Sequence, residues 1–149
     1  MLPKPMKLSA HGAEALKRFE ALRLKAYQCE AGRWTIGWGS IDGVTEGMVI
    51  DQLEAESRFA RSVPTYELAV CKALQLQPTQ GQFDAMVSLA FNCGTEAFAG
   101  SKLVKHWNLG EFEDAAMQLG EWVIVKGKVS RGQVRRRVRE LVTLWYRRK

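Results

Sequence analysis

The chain has 149 residues, 46% hydrophobic and 26% charged, which fits one globular domain with a core that needs no disulfide staples. Cys29, Cys71 and Cys93 are odd in number and widely spaced, with no CxxC pair and no His at ligand spacing, which excludes a disulfide framework and a zinc site. The net charge of +6 is uneven: residues 126–149 carry ten Lys or Arg against Glu140 alone, while the rest is slightly acidic, so a polyanionic partner or surface is expected at the C-terminal end.

The opening stretch "MLPKPMKLSAHGAEALKRFE" has no long apolar run, so neither a cleaved signal peptide nor a membrane anchor is expected there. Ser9 is placed to cap a first helix with Leu16 and Phe19 inward and Glu20 at its end. Residues 24–45, with "RWTIGWGS" and then "DG" at 42 and 43, read as short strands and tight turns. "DQLE" at 51–54 opens a helix to about Ser62, and Pro64 fits the first turn of another through Leu74.

"QGQFDAMVSLAFNCG", 80–94, is apolar nearly all round, which predicts a buried helix at the centre of the core with Gly94 as its stop. Helices over 101–110 and 111–122 follow. A last helix over 133–146 should turn Val134, Val138, Leu141, Val142 and Trp145 inward and most of its arginines elsewhere. The layout is α+β with helix dominant. A small β-containing lobe (about 22–62) and a helical lobe (about 1–21 and 75–149), joined by a helix (about 63–75), leave a cleft for a ligand.

Three side chains in the first part of this layout carry chemistry. Glu20 ends a helix, at the negative pole of its dipole, and packing against Phe19 or Trp34 would further disfavour the charged form. A carboxyl that keeps its proton is what glycoside cleavage needs at the leaving oxygen. Cys29 and Thr35 are placed to face each other across the first β-turn, where thiol and hydroxyl together can hold a water. Locally, a surface Glu, a small buried Cys and a strand-forming Thr remain the competing readings.

The spacing Glu20-x8-Cys29-x5-Thr35, inside "FEALRLKAYQ…WTIGWG", resembles the signature of the phage-type lysozymes, endolysins of glycoside hydrolase family 24. "QGQFDAMVSLAFNCGTEAFAGSKL", "NLGEFEDAA" and "RGQVRRRVRE" resemble further family segments in the same order, covering about residues 8–146. The resemblance implies a lysozyme-like fold with a small antiparallel β-lobe. It implies a muramidase that cuts the β-1,4 bond between N-acetylmuramic acid and N-acetylglucosamine in bacterial peptidoglycan, without cofactor or metal.

By matching position, Glu20 takes the general-acid role, Cys29 the place usually held by Asp, and Thr35 that of the water-positioning Thr. Phe91, Asn92 and Ser101 match saccharide-cleft positions, and Arg136 or Arg137 is expected to reach back toward Glu20 or the cleft. Two departures stand out. Cys29 must ionise, position water, or attack the sugar itself, and these differ in whether the anomeric centre inverts or is retained. Ser40 stands where the family often has His.

A monomer is expected, held in the host cytoplasm until a holin-type lesion releases it to the wall. The C-terminal basic helix would meet an anionic wall or membrane surface. The rival readings are a nucleic-acid-binding domain, supported by the Arg run but by no recognition motif, a cationic membrane-active protein, and an inactive wall-binding relative.

Overall fold

The computed structural model describes residues 1–148; Lys149, the last residue of the expected domain, lies outside the described residues. Helix α1 spans Ala10–Glu20, and the hydroxyl of its cap Ser9 accepts from the Gly12 N–H. What fixes this helix in space is Asp84, a buried carboxylate on the central helix. It accepts from the Ser9 N–H at 3.1 Å, from the Ser9 hydroxyl and from the Gln80 amide at 2.8 Å. Negative charge at a helix N-terminus is stabilising. The approach is close enough that a Cβ on Gly12 would sit 2.6 Å from Asp84 Cγ.

Strand β1 (Arg23–Gln28) pairs antiparallel with β2 (Trp34–Gly37), with Tyr27 opposite Thr35 and Gln28 opposite Trp34. The chain then doubles back tightly, Ile36 and Ser40 exchanging backbone hydrogen bonds of 2.8 and 2.9 Å. Gly37 and Gly39 supply the left-handed φ values, +65° and +80°, that this turn requires.

Helix α2 runs unbroken from Gln52 to Ala73, capped by Asp51. The expected division near Ser62, with a separate connecting helix from 63, is therefore corrected. Pro64 removes one N–H, but Pro64 and Ala60, whose carbonyl loses its partner, are both exposed, so water can satisfy that oxygen.

Helix α3 (Gln80–Cys93) is buried at eight consecutive positions, Phe83–Ala90, and Gly94 ends it with φ +96°. Such all-round burial makes it the axis of the larger core. Ala15, Leu103, Trp107, Leu119 and Leu144 pack around it, each large apolar side chain contributing roughly 1.5–3 kcal/mol. A short helix α4 (Thr95–Ala99), not expected from the sequence, precedes α5 (Lys102–Asn108) and α6 (Phe112–Gly120). A second core, Leu16, Trp38, Ala55 and Phe59, joins α1 and α2 to the small sheet.

A two-residue hairpin, β3 (Ile124–Val125) and β4 (Lys128–Val129), leads into α7 (Arg131–Arg139), which widens into a π-helical segment over Glu140–Trp145. Here a second expectation is corrected. Val134, Val138 and Val142 are exposed, Val142 at 66%, whereas Arg136, Arg137 and Glu140 are buried, Glu140 completely. Three charges are tolerated inside because they pair with one another and with groups from α1 and α3.

Candidate active site

The end of α1, the β1–β2 hairpin, the turn after β2, α2 and the end of α3 enclose a cleft of about 330 Å³. Glu20, Cys29, Arg33, Thr35, Tyr66 and Phe91 are among the side chains that line it, and Asn92 stands beside them. The three side chains of the Glu-x8-Cys-x5-Thr spacing thus meet in one hollow. Its aromatic floor is Phe91 and Tyr66, with ring centroids 4.9 Å apart, and beneath them the rings continue into the smaller core, Phe91 to Phe59 at 6.1 Å and Phe59 to Trp38 at 6.2 Å. Burial, with the charge of Glu20 adding to it, pushes the Tyr66 phenol above its usual range.

Cys29 and Thr35 are both held by the backbone of Arg33. The Arg33 N–H donates to Cys29 Sγ at 3.4 Å, and the Arg33 carbonyl accepts from the Cys29 N–H and from Thr35 Oγ1, both at 2.9 Å. With its proton committed to that carbonyl, the Thr35 hydroxyl keeps its lone pairs for a donor in the cleft.

The two oxygens of Glu20 have different surroundings. Arg136, from α7, donates to Oε1. Oε2 faces Gly39, where a Cβ would stand 2.6 Å from it and 3.2 Å from the ring of Phe91. The same guanidinium donates to Glu140 Oε1 at 3.1 Å and to the Ser88 carbonyl at 3.3 Å, and the Ser88 hydroxyl donates to Glu140 Oε1 at 2.7 Å. Burial alone would lower Arg136, but Glu20 and Glu140 outweigh it and hold the guanidinium above its usual range.

Arg137 also donates to Glu140 Oε1, at 3.1 Å, and to Asn92 Oδ1 at 2.8 Å. Its Nε lies 2.9 Å from Glu140 Oε2 without the angle of a hydrogen bond, so that contact is an ion pair only. Burial lowers Arg137 further than Glu140 restores it.

Of the expected binding residues, Phe91 and Asn92 line the cleft. Ser101 does not: its hydroxyl donates to the Phe98 carbonyl at 2.6 Å and accepts from Val104, capping α5. Arg136 and Arg137 stand behind the cleft wall, where they hold Glu20 and Asn92. Sequence reasoning missed Arg33, Tyr66, Gly39 and Cys93. Only Gly39, in a "GxG" after a strand, carried a local signal. Burial pushes the Cys93 thiol up to about 11.

The phage lysozyme family model matches residues 17–140. The endolysin of Acyrthosiphon pisum secondary endosymbiont phage 1 is 39% identical over 117 residues, 78% of this chain and 80% of that protein. The endolysin of Bacillus phage PZA is 38% identical over 91% of this chain, which spans 54% of that longer protein. Among solved structures, the endolysin from Escherichia coli O157:H7 phage FAHEc1 superposes with a TM-score of 0.85 at 37% identity, covering 97% of both chains.

Proposed function

The chain belongs to the phage lysozyme family, and from that premise we propose that it is a muramidase of endolysin type, cleaving the β-1,4 bond between N-acetylmuramic acid and N-acetylglucosamine in peptidoglycan. The observation that carries this reading is the meeting of Glu20, Cys29 and Thr35 in one cleft floored by aromatic rings.

Glu20 Oε2, the oxygen not taken by Arg136, gives its proton to the glycosidic oxygen as the C1–O bond breaks. The Arg136 guanidinium then stabilises the carboxylate left behind, and Glu140 shares that guanidinium, which tempers its pull on Glu20. On the opposite side of the sugar, Thr35 and Cys29 hold a water that adds to C1. Cys29 takes the water's proton if it is a thiolate; if it is a thiol it only positions the water, whose proton then passes to bulk solvent as the C1–O bond forms. Phe91 and Tyr66 offer ring faces to the sugar, and Asn92 offers its amide, set by Arg137.

Mass spectrometry of purified peptidoglycan digests tests the reading. Wild type should release fragments with reducing-end muramic acid. Glu20→Gln should release none while retaining its circular dichroism and melting behaviour; undiminished cleavage by that variant overturns the assignment of the acid. Product stereochemistry by NMR separates water attack, which inverts, from attack by sulfur, which retains.

The same reading places one domain over residues 1–149, working as a monomer, cytoplasmic until a holin-type lesion admits it to the wall. No helix among the described residues is long and apolar enough to cross a membrane. Exposed Arg131, Arg135 and Arg139 supply the attraction to an anionic wall or membrane surface.

A further inference from the structure

Two charged side chains line the cleft, and they differ in how they are satisfied. Glu20 is tied to Arg136. Arg33 is exposed, and among the described residues it has no carboxylate within 4.0 Å and no side-chain hydrogen bond. It sits between Cys29 and Thr35 and is anchored by its backbone alone, which leaves the guanidinium free over the cleft. Its charge is felt at Tyr66 on α2, where it opposes the upward push on the phenol.

The proposed substrate has one sugar without charge and one that carries acid. N-acetylglucosamine is neutral. N-acetylmuramic acid bears a lactyl arm whose carboxyl is either free or extended by a peptide with carboxylates of its own. We propose that Arg33 is a specificity-determining residue, binding a carboxylate carried on the lactyl arm of the muramic acid and so setting the register of the glycan over Glu20. The inference rests on the muramidase reading and names which part of the substrate the cleft recognises.

The chemistry fits the residue type. A guanidinium presents a planar fork to a carboxylate and makes two parallel hydrogen bonds, charge-assisted and about twice as strong as neutral ones. Nothing in the cleft competes for it, because the one carboxylate there is already engaged by Arg136. Truncating the side chain leaves the contacts to Cys29 and Thr35 in place, since these come from the Arg33 main chain. Arg33→Ala thus separates substrate recognition from support of the catalytic pair.

The test compares kcat/KM on purified peptidoglycan with that on the same material after carbodiimide amidation of its carboxylates. Wild type should favour the untreated wall by about tenfold or more, as loss of one charge-assisted contact implies. In Arg33→Ala that ratio should fall severalfold, through KM rather than kcat, to the smaller preference that the exposed Arg131, Arg135 and Arg139 still supply. Arg33→Glu should invert it, and Arg33→Lys should recover part of it. Added salt, which screens the exposed arginines, should remove the residual preference of Arg33→Ala first and leave wild type still the more selective of the two.

Amidase-trimmed glycan, which retains only the lactyl carboxyl, distinguishes that group from the peptide as the source of the carboxylate. A ratio in Arg33→Ala equal to that of wild type overturns the proposal while leaving the muramidase reading intact. Absence of cleavage of either wall by wild type overturns the muramidase reading, and this inference with it.

Discussion

Glu20, Cys29 and Thr35 were readable as a set only through their spacing, because nothing local distinguishes a helix-ending Glu or a strand Thr from its ordinary counterpart. What the spacing could not reveal is how each is held. The partner of Glu20 is 116 positions away, and the clasp on Cys29 and Thr35 is made by main-chain atoms of Arg33, which no side-chain pattern records. Gly39 is a residue whose identity the site dictates twice over. Its φ of +80° disfavours any side chain, and a Cβ would press on Glu20 Oε2 and on Phe91. Gly39→Ala should therefore cut kcat by tenfold or more by displacing the carboxylate, with a modest loss of stability on the order of 1 kcal/mol from the backbone term. Turnover on cell walls and a denaturant melt, measured side by side, separate the two effects.

Helix α1, with its Ser9 cap and inward Leu16, and α3, apolar nearly all round and stopped at Gly94, were recoverable from sequence. Pro64 misled, because a proline reads as a boundary whereas an exposed helix turn can accommodate it. The last helix misled more seriously. Its valines have the spacing of a buried stripe, but the buried side carries Arg136, Arg137 and Glu140. Periodicity assumes that charge lies outside, and that assumption fails where Glu20 from α1 and Glu140 neutralise the guanidiniums and α3 adds hydrogen-bond acceptors at Ser88 and Asn92. The π-helical segment that follows packs on α3 through Gly81, where a Cβ would lie 2.2 Å from the Leu144 carbonyl oxygen. Gly81→Ala should push these two elements apart and cost about 1–3 kcal/mol. Chemical denaturation would measure that loss, and native-state hydrogen exchange should show it concentrated over Glu140–Trp145.

Two packed cores meet along α2 and α3, and the cleft lies where they join. The α+β architecture was evident from the order of elements. The route by which the far end of the chain returns to the cleft was not, since it depends on buried ion pairs between distant segments. Glu140 is the hub of that return. It is fully buried and faces two guanidiniums. Glu140→Ala would leave Arg136 with Glu20 alone and Arg137 without a counter-charge, a change that should cost about 3–5 kcal/mol. Thermal unfolding should show a fall in Tm on the order of 10 °C, and a change of under 2 °C would refute the role assigned to the hub.

The guanidinium of Arg136 serves Glu20, the proposed proton donor, with one nitrogen and the interior with its others. Lytic power and thermal endurance are therefore inherited together in this molecule. Drift at Ser88 or Glu140, which touch no sugar, will be felt by a bacterium's wall as surely as drift at the acid itself, and a compensating change must restore both properties at once.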